Sequence, residues 1–350
     1  MSGEGLLPFV SVVMPVRNEA AFIARSLGAV LAQDYPRCRM EVIVADGMSD
    51  DATRDLVRAT AECDPRVRLV DNRGRIAPTA LNAAFSVARG EIVVRVDGHC
   101  EIAPDYVSRC VAHLSSGEAD GVGGPLETVG ETPVAQVIAL AMSSGFGVGG
   151  SPFRTRKEWS GLVDTVAFPA YTREALVLAG PFDEELIRNQ DDEYNYRLRS
   201  RGARILLAAD VRSRYYSRGT LRSLFRQYFQ YGLWKVRVLQ KHLRQMRPRQ
   251  FIPPVFAALL IVGVLAAPFS AWARFGLLGI TAAYAGANVV ASVLTGRAGP
   301  FPEVFLLPVV YTTLHVSYGF GFLAGLVHFH NRWRDILPGS QPAGRHEGSA

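Results

Sequence analysis

"EIVVRVDGHC", residues 91–100, joins a short β-branched run to an acid, a glycine and a histidine. Such a run, bounded by turn residues, reads as a strand, and its unbroken apolar core suits one buried on both faces. Its end poses a chemical question. An aspartate and a histidine one residue apart, Asp97 and His99, can share a metal ion or can form an ordinary polar turn.

Working outward, the same rhythm recurs upstream. Residues 9–16 (FVSVVMPV) read as a strand, and residues 18–33 as an amphipathic helix. Residues 40–46 (MEVIVAD) form a second strand, before a helix over 49–62 capped by Ser49 or Asp50. A third strand over 66–72 and a helix over 77–88 lead to a fourth strand over 91–97. This alternation predicts an α/β fold, a Rossmann-like, mostly parallel sheet with helices on both faces. Ligands in such sheets bind beyond the carboxyl ends of the strands. Those ends carry three polar clusters, at 15–19, 46–50 and 97–99.

Beyond residue 120 the pattern loosens. "GVGGPLETVGE" (121–131) and "GFGVGGSPF" (145–153) read as flexible loops over a cleft. A strand over 164–172 precedes a loop with an acidic patch and then a helix, within 173–202. No internal repeat is evident.

Charge and hydropathy divide the rest. From Arg212 to Arg249 there are eleven basic residues and no acidic one. Because an apolar region follows directly, the block points to anionic lipid headgroups rather than nucleic acid. Within it, residues 221–245 space leucines and aromatics three and four apart between arginines, the pattern of an interfacial helix. Three apolar stretches follow, 251–272, 275–294 and 303–329, each near the ~20 residues that span a bilayer. Three crossings would leave 330–335 outside, against the inward preference of Arg332 and Arg334, so one stretch is expected to be re-entrant or interfacial. The expected organisation is a catalytic domain over 1–218, a basic amphipathic region over 219–250, membrane helices over 251–330 and a flexible tail over 331–350. No secretory pattern opens the chain. Cys38, Cys63, Cys100 and Cys110 lack C-x-x-C spacing and read as reduced thiols facing the cytosol.

The clusters have both chemical and ordinary readings. Asp46 can accept a hydrogen bond from a nucleobase, or close a turn. Asp97 and His99 can hold a divalent cation that bridges to a diphosphate, and a carboxylate with an imidazole suits Mn²⁺ better than Mg²⁺. Asp191, Asp192 and Glu193 can supply a general base for a hydroxyl, or merely favour a helix N-terminus.

Together and in order, the segments resemble the family 2 inverting glycosyltransferases of the GT-A fold, especially bacterial exopolysaccharide glucosyltransferases of the succinoglycan type. "VSVVMPVRNE" is similar to the opening strand and P-x-x-N-E turn of that family, and "VIVADGMSDDAT" to its D-D-G-S-x-D-x-T segment, with Ala45 replacing the first acid. "NRGRIAPTALNAAFSVARGEIVVRVDGHCEIAPDYV" resembles the stretch around the metal motif, and "GPFDEELIRNQDDEYNYRLRSRG" the acceptor segment.

The resemblance implies a nucleotide site at Pro15, Glu19 and Asp46, and a donor loop carrying Arg75 and Asn82. It implies metal ligation at Asp97 and His99, with Asp97 also on the donor side, and Asp191 as base beside Asp192 and Glu193. Gln230 and Trp234 match an acceptor motif, Trp234 as a stacking platform or a membrane anchor. His99, Gln190 and Leu233 depart from the usual aspartate, glutamate and arginine. The implied protein binds a UDP-sugar, a divalent metal (Mn²⁺ in preference to Mg²⁺), a polyprenyl-diphosphate-linked glycan and cytoplasmic-membrane lipids, and no nucleic acid. Its alternatives are a polyprenyl-phosphate sugar transferase and a non-catalytic nucleotide-sugar scaffold.

Overall fold

In the computed structural model, residues 7–217, 219–297 and 305–336 are described; the first six residues, the start of the third apolar stretch and the tail from 337 lie outside them. The α/β part of the chain is built on an eight-stranded sheet, ordered β3-β2-β1-β4-β9-β6-β10-β8. Its first four members are β1 (Val10–Val16), β2 (Met40–Asp46), β3 (Val67–Asp71) and β4 (Ile92–Arg95). These pair in parallel, with β1 registered against both β2 and β4. Side chains alternate faces along each strand. Val10, Val12 and Met14 enter one core and Val13 the other, while β2 divides Val42 and Val44 from Ile43 and Ala45. Burial on both sides explains the near-continuous apolar composition of these strands.

The chain steps outward from β1 to β2 and β3, then returns to lay β4 on the other flank of β1. The β1/β4 boundary is therefore the point where strand order reverses, and the crevice for a ligand opens there. Beyond it, β9 (Ala167–Thr172) runs antiparallel between β4 and β6 (Gly121–Gly124). β10 (Ile205–Leu207) and β8 (Gly161–Leu162) complete that edge. A small second sheet joins β5 (Cys100–Ile102), β11 (Ser213–Tyr216) and β7 (Leu126–Val129) across the crevice.

Three local expectations are corrected. The first helix begins at Ile23, not residue 18, because Asn18 adopts φ +55 and residues 17–22 are held as a turn. Ser49 secures that turn rather than capping a helix, accepting from the Asn18 amide at 2.8 Å. The next helix starts at Thr53, whose amide donates to Asp51 at 3.0 Å. The glycine-rich segment at 121 is the buried strand β6 rather than a flexible loop. A Cβ at Gly124 would lie 1.4 Å from the Val211 carbonyl oxygen, so close packing demands the glycine. All four cysteines are free, as expected.

Three C-terminal helices, Pro248–Ala266, Ala271–Gly296 and Leu307–His328, are long and apolar enough to cross a membrane. The first two expose most of their apolar surface, whereas the third is much more enclosed. It covers the apolar face of the basic helix Leu221–Lys241, which was expected to lie directly on lipid. Glycines permit the contact: a Cβ would come within 2.1 Å of the Tyr318 carbonyl oxygen at Gly232, and within 2.0 Å of the Phe229 carbonyl oxygen at Gly321. Gly321→Leu is expected to force the pair apart, since overpacking costs about 1–3 kcal/mol. A detergent thermal-melt assay should then show a clear fall in Tm, and an unchanged Tm would contradict the tight packing.

The basic block is also less lipid-facing than its sequence suggests. Lys235 and Arg237 are buried, donating to Asp192 at 2.9 Å and Glu185 at 2.8 Å. Lys241 joins Glu185 at 2.7 Å. Burial alone would raise the Glu185 pKa, but the bonds from Arg237 and Lys241 outweigh it and bring the carboxyl down to about 2. Arg222, Arg226, Arg244 and Arg249 remain exposed.

Candidate active site

Parallel register brings the turn after β1 beside the loop after β4. There His99 Nδ1 meets Glu19 Oε1 at 2.8 Å, and the His99 ring lies edge-on to Tyr215 of β11 at 5.2 Å. A carboxylate at this distance suits the tautomer in which Nδ1–H donates to Glu19 and Nε2 carries the lone pair. A carboxylate bound to one ring nitrogen is the usual support for a histidine that ligates through the other.

Arg95, the last residue of β4, is the centre of the arrangement. Its side chain is only 7% exposed, and its guanidinium reaches two acids: Nε donates to Asp97 at 2.9 Å, and Nη1 contacts Asp191. The planar fork of arginine suits this bridging of carboxylates. Asp191 occupies the first turn of the helix Gln190–Ser200 and keeps 40% of its side chain exposed. Withdrawal from bulk water lifts its pKa, Arg95 opposes the shift, and the charges of Asp97 and Asp192 add to it; the result is a raised pKa. A carboxylate with a raised pKa that still reaches solvent is suited to accept a proton.

Among the described residues, no group of three or more His, Cys, Asp or Glu side chains is assembled for a metal. Asp97 and His99 flank Gly98 but have different partners: both Asp97 oxygens meet Arg95, at 2.9 and 3.3 Å, while His99 meets Glu19.

The other expected site residues have identifiable partners. Asp46 is fully buried and accepts from Ser49 Oγ at 2.5 Å and Arg54 at 2.7 Å. The Asn82 amide donates to the Phe182 carbonyl at 3.0 Å and to Glu184 at 2.8 Å, and accepts from the Phe182 amide. Glu193 is buried against Arg197 at 2.9 Å and His242 at 3.0 Å, because its position turns it inward, one helical turn from Arg197. Trp234 is half-buried, its ring 5.3 Å from that of Phe329 and its indole N–H donating to Gln230 at 3.2 Å.

Pro15 lies within β1 opposite Ala45, and Arg75 is exposed with φ +59, its carbonyl accepting from Arg17 at 3.2 Å. Asp192 keeps 32% of its side chain exposed beside Lys235.

Two residues escaped the sequence reading, Arg95 and Lys235. A signal existed for each. An arginine inside an otherwise apolar, doubly buried strand requires acidic partners, and a lysine on the inward face of an amphipathic helix requires one.

Comparison with known proteins agrees with this architecture. The profile of the family described as Glycosyl transferase family 2 matches residues 11–176. The succinoglycan biosynthesis protein ExoA of Rhizobium meliloti (strain 1021) is 34% identical over 333 residues, covering 92% of this chain and 96% of that protein. A Methanococcus voltae dolichyl N-acetyl-alpha-D-glucosaminyl phosphate 3-beta-D-2,3-diacetamido-2,3-dideoxy-beta-D-glucuronosyltransferase is 25% identical over 244 residues, covering 67% of this chain and 74% of that protein. Among solved structures, the Pyrobaculum calidifontis mannosyltransferase PcManGT, in complex with GDP-Man and Mn²⁺, superimposes with a TM-score of 0.56. It shares 24% identity and covers 91% of this chain and 87% of its own, a likeness of fold. With this GT-A architecture and that extended identity, the chain belongs to glycosyltransferase family 2.

Proposed function

We propose that this protein is a membrane-anchored, inverting hexosyltransferase of the bacterial cytoplasmic membrane, with its catalytic domain facing the cytoplasm. The donor is a UDP-hexose such as UDP-glucose, and the acceptor a hydroxyl of a polyprenyl-diphosphate-linked glycan in exopolysaccharide or cell-envelope synthesis. The observation that carries this reading is the convergence of Asp97 and Asp191 on the Arg95 guanidinium, which supports a donor-side acid and a base acting close together. The exopolysaccharide relative and the relative named for a lipid-phosphate-linked sugar support the acceptor class.

Asp191 removes the proton from the acceptor hydroxyl. The acceptor oxygen then forms a bond to the anomeric carbon as the carbon–oxygen bond to the diphosphate breaks on the opposite side. A single displacement inverts the configuration, giving a β-linkage from an α-linked donor. Asp97 and His99 would hold the divalent cation, whose chemistry when bound is to neutralise charge on the departing diphosphate. Glu19 keeps His99 in the ligating tautomer. Asp46 shapes the base end of the cleft through Ser49 and Arg54, and Asp192 lines the acceptor side.

Calorimetry of UDP binding to the detergent-purified protein, with and without Mn²⁺, tests the metal assignment. Binding should require Mn²⁺ and be lost in His99→Ala. In Glu19→Gln, metal affinity should weaken roughly 10- to 100-fold, as for other second-layer partners. Binding that ignores both Mn²⁺ and these substitutions would remove His99 from the site.

A further inference from the structure

We infer that the last apolar helix, Leu307–His328, does not cross the bilayer. It lies with the basic helix Leu221–Lys241 along the cytoplasmic leaflet, and only the hairpin of Pro248–Ala266 and Ala271–Gly296 spans the membrane. This rests on the membrane-anchored reading above and adds its topology.

Length alone would allow a crossing, since 22 residues extend about 33 Å as a helix. A crossing helix, however, carries one end away from a cytoplasmic domain. This one meets the catalytic domain near both ends. Tyr311 Oη lies 2.8 Å from Ser144 Oγ, and His315 Nε2 lies 2.8 Å from the Phe146 carbonyl oxygen. Just past its other end, Arg332 contacts Glu185, and the Phe329 carbonyl accepts from Gln240 at 2.8 Å.

Its partnership with the basic helix leads to the same result. The glycine contacts run in step: Gly321 abuts Phe229, and Gly325 abuts Leu233. With Gln240 on Phe329, later residues of one helix meet later residues of the other, so the two run side by side and parallel. If Leu307–His328 crossed the membrane, the basic helix would be drawn in with it. That helix carries Arg222, Arg226, Lys235, Arg237 and Lys241, which would have to enter hydrocarbon. Lys235 and Arg237 are instead bonded to Asp192 and Glu185 at the edge of the catalytic domain.

The outward side of the pair suits a headgroup layer. Phe225, Val309 and Val327 are exposed apolar groups, with exposed Arg222 and Arg226 nearby in sequence, the mixture expected of helices in the interfacial plane. The hairpin turn exposes Phe269 and Trp272 almost completely, as befits the opposite membrane surface. Two crossings return the chain to the cytoplasm, where Arg332 and Arg334 are favoured. The consequence for catalysis is positional. The helix bearing Asp191 is tied to the membrane-lying helix by Lys235–Asp192 and by Asn189 donating to the Tyr231 carbonyl at 2.9 Å, so the base is held at headgroup height.

The test uses the full chain in a Gram-negative host. In a Cys38→Ser, Cys63→Ser background, Ser270→Cys should react with a membrane-impermeant maleimide in intact cells. A C-terminal green fluorescent protein fusion should be fluorescent, and an alkaline phosphatase fusion inactive. An active phosphatase fusion with Ser270→Cys still labelled would overturn the two-crossing topology while leaving the membrane anchor in place. Protection of Ser270→Cys from the outside, together with release of the protein by alkaline carbonate, would overturn the hairpin and the membrane-anchored reading together. Protection with the protein still retained in the membrane would overturn the proposed hairpin alone.

Discussion

Asp191→Asn should reduce kcat by roughly 10²–10⁴-fold, the usual contribution of a positioned general base. Asparagine keeps the shape of the side chain and an oxygen for Arg95, so UDP binding in the presence of Mn²⁺ should be unchanged. The defect would then be in chemistry rather than in donor capture. The raised pKa of Asp191 adds a pH signature. The base works only when ionised, so kcat must fall as pH drops through its pKa, and the raised value places that acid limb above the range of an ordinary aspartate. A kcat–pH profile on the wild-type enzyme checks the limb. Full activity in Asp191→Asn would instead favour a lipid phosphate as nucleophile, which needs no base. Preserved biological function without any turnover would favour the scaffold reading.

Arg95→Met carries the second large effect. It leaves Asp97 and Asp191 to face each other without the guanidinium that joins them. Breaking a buried charge pair costs about 3–5 kcal/mol, and solvent access at Asp191 places the expected loss near ~3 kcal/mol. Activity should fall as well, with a distinctive sign. Arg95 lowers the Asp191 pKa, so its removal raises that pKa further and moves the acid limb of kcat to higher pH. Arg95→Lys should restore part of the stability, because a point charge remains, but not the geometry of the two-acid fork. Denaturant midpoints and kcat–pH profiles on both variants separate these effects. An Arg95→Met enzyme with an unshifted limb would mean that Arg95 holds the fold alone.

The site was unevenly legible. Asp97 and His99 stood out because polar groups at the end of an apolar run are a local signal, and the acids at 191–193 because three consecutive acids are another. The register that sets Glu19 against His99 is not local, since it depends on β1 and β4 pairing and joins residues 80 positions apart. Helical residues were the hardest to assign. Glu193 and Trp234 lie in segments whose period was readable, yet which face turns toward the cleft depends on what packs against the helix. The glycines at 121–124 looked like flexibility, and only the Val211 carbonyl pressed against Gly124 shows that they allow close packing.

Taken by itself, the sequence determined the alternation of strands and helices, the strand-end chemistry and the apolar C-terminal region. Each follows from short-range periodicity and composition, which need no knowledge of distant partners. Only the tertiary structure decided that Arg95 joins the two acids, that Glu193 is buried against Arg197 and His242, and that the last apolar helix lies beside a charged one. Those outcomes turn on burial: a charge or an apolar face removed from water must find its partner in space, and that partner lies far away along the chain.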